Sequence, residues 1–69
     1  MKLEIGDRVQ GLYLGIKESA PFVGRITKIN EWARIGSSVV TVELEKPLHV
    51  DDVILNRVHE QYRRLELVC

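Results

Sequence analysis

The side chains best suited to chemistry gather in one stretch, His49, Asp51, Asp52 and His59. A structural zinc site needs four converging nitrogen or sulfur ligands at characteristic spacings. This stretch matches none of those spacings, and Cys69 is the only cysteine in the chain. Asp51 and Asp52 make a poor acid–base pair, because adjacent residues of a strand point to opposite sides. Ser37 and Ser38 follow Gly36 in a turn, with no base and orienting group placed to activate them. No phosphate-cradling glycine loop and no dinucleotide fingerprint is present. The residues indicate no catalytic group, no metal and no cofactor, and Asp51-Asp52 reads as a polar turn.

Binding chemistry has better candidates. Trp32 stands among Asn30, Glu31 and Arg34 in a connecting stretch, and tryptophan is enriched at the anchor points of interfaces. Trp32, Tyr13 and Arg34 are the candidate partner contacts. The competing reading folds Trp32 back over an open end of the core. A second set is basic: Arg25, Lys28, Arg57, Arg63 and Arg64. Arg57, Arg63 and Arg64 come together if the last two strands pair across a short turn, and such a patch could meet phosphates. Ten Lys and Arg against ten Asp and Glu leave no net charge. Nucleic-acid binding draws most of its affinity from phosphate neutralisation, so this balance favours a solvated, internally paired surface over a nucleic-acid patch.

Positioning these groups falls to a short chain. Sixty-nine residues suffice for one domain. A chain of this size buries only about 60% of its unfolded surface, and small domains commonly gain support from disulfides, metals or oligomers. A lone cysteine forms no intrachain disulfide, which leaves tight packing or self-association. Met1–Ile5 lacks the apolar core of a secretory leader, and no run approaches the ~20 apolar residues of a membrane span. The expectation is a cytoplasmic protein.

The pattern of apolar residues predicts strands. Gly6-Asp7 is turn chemistry, and a first strand runs from Arg8 to about Leu14. Val9, Gly11 and Tyr13 share one face of it, and Gln10, Leu12 and Leu14 the other. Gly11 inside a strand marks a bend or a close approach. Residues 15–21 read as a loop. A second strand spans Phe22–Asn30, and a bulge near Thr27 restores the alternation that Ile26 and Ile29 break. The third, Val39–Glu45, turns Val40, Val42 and Leu44 inward and Thr41, Glu43 and Glu45 outward, and Lys46-Pro47 ends or bends it. Beyond Asp51 two patterns compete. Ile54, Val58, Tyr62 and Leu65 have helical spacing, whereas Val53-Ile54-Leu55 and Arg64–Val68 read as strands. The preferred reading is a strand over 53–58, a tight turn or helical turn over 59–62 and a strand over 63–68. The expected core is Val9, Phe22, Ile26, Val40, Val42, Leu44, Leu65 and Leu67.

Gly6-Asp7-Arg8-Val9, Phe22-x-Gly24-Arg25-Ile26-x-x-Ile29 and Val39–Leu44 together resemble small SH3-like barrels, in the region of that superfamily occupied by KOW and Tudor-like modules. The likeness covers about two thirds of the chain. It implies an all-β, SH3-like barrel of about five short antiparallel strands over residues 1–69, with a helical turn before the last strand. Gly11-Leu12-Tyr13-Leu14-Gly15 and Pro21-Phe22 also resemble short uncharacterised bacterial and phage proteins. One enzyme of the group, the type II dihydrofolate reductase, is a tetramer whose pore depends on a Val-Gln-Ile-Tyr stretch. The corresponding Val53-Ile54-Leu55 lacks it, so that activity is not implied. Many functions ride on such barrels. The expected role is a non-enzymatic binding module acting through protein contacts or as a homo-oligomer, with a KOW-like nucleic-acid binder as the alternative and a pore enzyme as the third.

Overall fold

The computed structural model describes residues 3–30 and 38–68. Among them, five antiparallel strands form one sheet: β1 (Arg8–Leu14), β2 (Ser19–Asn30), β3 (Val39–Val50), β4 (Val53–Gln61) and β5 (Glu66–Leu67). A 3₁₀ turn over Tyr62–Arg64 precedes β5. The order across the sheet is β4-β3-β2-β1-β5, so the protein is all-β, as its alternation predicts.

β1 starts where the turn chemistry places it. Gly6 sits at φ 97°, which suits glycine, and its N–H donates to the Ile26 carbonyl at 2.8 Å. The Ile26 N–H returns to the Asp7 carbonyl at 3.0 Å, and the Asp7 carboxylate accepts the Glu4 N–H at 2.8 Å. Gly11 allows a close approach, since a methyl group there would lie 2.8 Å from the Phe22 ring.

β2 begins at Ser19, inside the stretch expected to be loop, and carries Pro21 opposite Leu12. Ile26 bonds toward the β1 side, so alternation turns the backbone of Pro21 toward β3. The β2–β3 ladder starts only at Gly24↔Leu44, and no donor is demanded of the proline. The bulge falls where the broken alternation puts it, between Ile26↔Val42 and Lys28↔Thr41.

β3 does not stop at Glu45. It bends where the β3–β4 register slips between Glu43↔Arg57 and Leu48↔Leu55, with Pro47 in the unpaired slack, and resumes to Val50. Asp51 and Asp52, at φ 50° and 61°, form a two-residue hairpin turn whose left-handed residues match the twist of the strands.

The final third is strand and turn, without the alternative single helix. β4 continues to Gln61, past the expected end at 58, because the Tyr62 N–H still finds the Ser38 carbonyl at 3.0 Å. The helical turn is thereby displaced from 59–62 to Tyr62–Arg64. The last strand shrinks from 63–68 to the two residues that pair with β1, Val9↔Leu67 and Gln10↔Glu66.

The core cluster is Leu3, Val9, Phe22, Ile26, Val40, Val42, Val58 and Leu65. Leu44 and Leu67 are half-buried against it, Leu44 at the β3 bend and Leu67 on the short outer strand. Leu3, Val50 and Val58 are buried without having been expected. The Leu3 N–H bonds the Tyr62 hydroxyl at 2.5 Å and ties the start of the chain to the 3₁₀ turn. Thr41, expected to face outward, is only 7% exposed. Its hydroxyl pairs with His59 Nδ1 at 3.0 Å, and Thr27, displaced by the bulge, donates to its carbonyl at 3.4 Å.

Candidate binding surface

Alternation along β1 sends Val9, Gly11 and Tyr13 into the core and Gln10, Leu12 and Leu14 outward. Leu12 is 46% exposed, Leu14 54%, and Ile16, just past Gly15, 96%. Singly exposed apolar residues are ordinary, but three in succession along one strand and its loop form a stripe. Leu12, at one end of the stripe, lines a cleft of about 730 Å³, and Leu14 and Ile16 lie outside that lining. Leu12, Pro21, Val23 and Pro47 supply apolar lining, and Arg8, Glu45, Lys46, Arg64 and Glu66 supply charge.

Most of that charge is engaged. Arg8 grips Glu45 with two bonds, Nε to Oε2 at 2.7 Å and Nη2 to Oε1 at 3.0 Å, closing the β3 bend onto β1. The Arg8 hydrogen bond holds the Glu45 carboxyl below its ordinary pKa and raises that of Arg8. Glu66 accepts from Gln10 Nε2 at 3.3 Å, and Arg64 lies 3.7 Å from Glu60. Lys46 has no ion-pair partner among the described residues.

The far end of the stripe is fixed by Asp51. Its carboxylate accepts the backbone N–H groups of Ile16 at 2.5 Å, Lys17 at 2.9 Å and Glu18 at 3.2 Å. Those bonds, led by the one from Lys17, lower its pKa. Glu18 Oε1 in turn accepts the Asp51 N–H at 2.9 Å. The β1–β2 loop is thus bonded to the β3–β4 turn, and Ile16 is presented from a held loop. Sequence reading placed Asp51 in a turn but missed this role. The left-handed demand of a two-residue hairpin was the available signal, since it frees an aspartate side chain to cap a neighbouring loop.

Of the three candidate contacts, Tyr13 is half-buried and packs against the core, while Trp32 and Arg34 lie outside the described residues. The five basic candidates do not form one patch. Arg25 and Arg57 flank Glu43 in a row across the sheet, Arg25↔Glu43↔Arg57, and Arg57 pairs with Glu43 at 3.1 Å. Arg25 donates to the Gly6 carbonyl at 3.0 Å. Lys28 lies on the neighbouring row with Thr41 and His59. Arg63 and Arg64 sit on the 3₁₀ turn, and β4 and β5, whose pairing would have gathered them with Arg57, stand at opposite ends of the sheet order. Missed altogether were the Arg8–Glu45 bridge, which spans 37 positions of sequence, and the cleft beside it. No local pattern announces either.

No helix among the described residues is long and apolar enough to cross a membrane. Compared with protein-family models, curated proteins and solved structures, the chain matches none.

Proposed function

We propose that this chain is a non-enzymatic binding module of the SH3-like barrel kind, acting through protein contacts that include its own self-association. The observation that carries this reading is the stripe Leu12, Leu14 and Ile16, exposed in succession, with Leu12 also lining a cleft of mixed apolar and charged walls. Grouped apolar exposure costs solubility and is a common mark of interfaces. The Asp51 bonds hold the end of the stripe, so its order need not be created on binding, which lowers the entropic cost of association. The basic side chains support a nucleic-acid role less well, because Arg57 is paired with Glu43 and Arg64 lies beside Glu60.

The test has two steps. Immobilised protein captures its partners, this chain included, and each captured protein is identified and its affinity measured in isolation. Leu14→Ser/Ile16→Ser, checked for an unchanged circular dichroism spectrum, should lose at least tenfold in affinity. Equal affinity for the double variant would refute the reading.

A further inference from the structure

We infer that the partner of the stripe is a second copy of this chain, joined edge to edge through β1 with Leu12 paired to Leu14 of the second copy and Leu14 to its Leu12. This deepens the reading above and rests on it.

The backbone directions along β1 set up the argument. The Ile26 N–H bonds the Asp7 carbonyl, so odd-numbered residues of β1 bond toward β2. The Val68 N–H bonds the Arg8 carbonyl at 2.8 Å, so even-numbered residues bond toward β5. The pairing with β5 ends at Gln10↔Glu66. Beyond it, the N–H and C=O groups of Leu12 and Leu14 face an edge with no strand beside it among the described residues. Such an edge is a template for another strand.

The sheet has two edges, and they differ. β4 carries Arg57 and Glu60, charges of the kind that guard an edge, in its second half, while Val53 and Ile54 at its start are exposed. Val9 to Ile16 carries no charge at all, so two copies of β1 meet without repulsion. An antiparallel pair of β1 strands has three nearby registers that match even residues to even residues. Pairing Leu12 with Leu12 would oppose Leu14 to Gln10, whose edge is already taken by Glu66. Pairing Leu14 with Leu14 would oppose Leu12 to Ile16, whose N–H is already given to Asp51. Pairing Leu12 with Leu14 uses the two residues of each strand whose outer edge has no strand partner among the described residues.

Charge is compatible with an antiparallel arrangement. It brings the loop end of one copy, with Glu18, Asp51 and Asp52 against Lys17, towards the Arg8 end of the other. There the cleft carries Arg8, Lys46 and Arg64 together with Glu45 and Glu66, and Lys46 is the cleft cation without an ion-pair partner among the described residues. Past Leu14 each chain leaves the ladder at Gly15, and Ile16 is carried to the cleft beside Gln10 and Leu12. The most exposed large apolar side chain among the described residues is then covered.

Paired cysteines test the register in a Cys69→Ser background. Hydrogen-bonded antiparallel partners have Cα atoms about 5.5 Å apart, within the span of a disulfide, whereas residues two positions out of register exceed it. Mixing Leu12→Cys with Leu14→Cys under oxidation should give a mixed dimer at least tenfold more abundant than either variant gives alone. Sedimentation equilibrium over a hundredfold dilution should show a species of twice 7.9 kDa dissociating to 7.9 kDa. Leu14→Lys, with an unchanged circular dichroism spectrum, should stay monomeric throughout. A single 7.9 kDa species at every concentration, or cross-linking no better in the mixture, would overturn the inference. A monomer that binds another protein through Leu14 and Ile16 would overturn the self-pairing and leave the binding reading standing. A dimer that survives Leu14→Lys would overturn the proposed edge.

Discussion

Glu18 and Asp51 exchange hydrogen bonds across 33 positions of sequence: the Glu18 N–H donates to Asp51 Oδ1 at 3.2 Å, and the Asp51 N–H donates to Glu18 Oε1 at 2.9 Å. Neither residue is in a strand, yet together they bond the two hairpin turns at one end of the sheet. This exchange leads to the first prediction. Asp51 has a lowered pKa, so its contribution is present above its unfolded value of about 3.9 and is lost as pH falls through its folded value. Asp51→Asn should melt at a lower temperature than the wild type at neutral pH. The two melting curves should converge below the ordinary aspartate range. Amide exchange at Ile16, Lys17 and Glu18 should quicken in the variant. Equal exchange rates at neutral pH would show that the carboxylate does not hold the loop.

Gly24 is the second test. It is buried on β2, and a Cβ there would run into the Glu43 carbonyl and lie 2.7 Å from Val42 Cγ1. A backbone carbonyl cannot swing aside as a side-chain tip can. Gly24→Ala should destabilise the protein by about 1–3 kcal/mol through overpacking, read from urea unfolding. A loss of only a few tenths would mean that β2 and β3 separate at this point.

Val42 tests the register of β3. It is fully buried, pairs with Ile26 on one side and Val58 on the other, and belongs to the core cluster. Val42→Ala should cost about 1–3 kcal/mol from lost burial and the cavity left behind. Glu43→Ala, one residue along and half-exposed, should cost within about 0.5 kcal/mol, as surface changes usually do. Similar costs at both positions would contradict the alternation.

The basic side chains give a fourth prediction. With Arg57 on Glu43, Arg8 on Glu45 and no net charge on the chain, affinity for a short DNA or RNA duplex should be undetectable by fluorescence anisotropy at physiological salt. Binding at low salt that falls steeply as salt rises would instead point to a phosphate contact surface.

The strands were legible in the sequence wherever one face meets the core and the other meets water. β1 runs over Arg8–Leu14 as its alternation requires, and the slip between Ile26 and Ile29 marks the bulge, because a period of two shows any inserted residue. Val9, Phe22, Ile26, Val40 and Val42 are buried for the same reason, whereas Leu65, expected in a strand, is buried from the residue that links the 3₁₀ turn to β5. Elsewhere the outcome depended on residues distant in the chain. Pro47 could end β3 or bend it, and the bend follows from β4 resuming the ladder at Leu48↔Leu55. Thr41 reads as outward, but the bulge brings Thr27 to its carbonyl and His59 binds its hydroxyl. Tyr62 has the spacing of a helix stripe, yet its N–H is drawn to Ser38 and its hydroxyl to Leu3, which delays the turn and leaves β5 two residues long. The binding surface depends on that length. Sequence alone determined that Leu12 and Leu14 lie opposite Tyr13 on β1. Only the tertiary structure, by ending β5 at Glu66, decided that their backbone groups find no strand partner among the described residues, because sequence periodicity tells which way a side chain points and not which strand lies beside it.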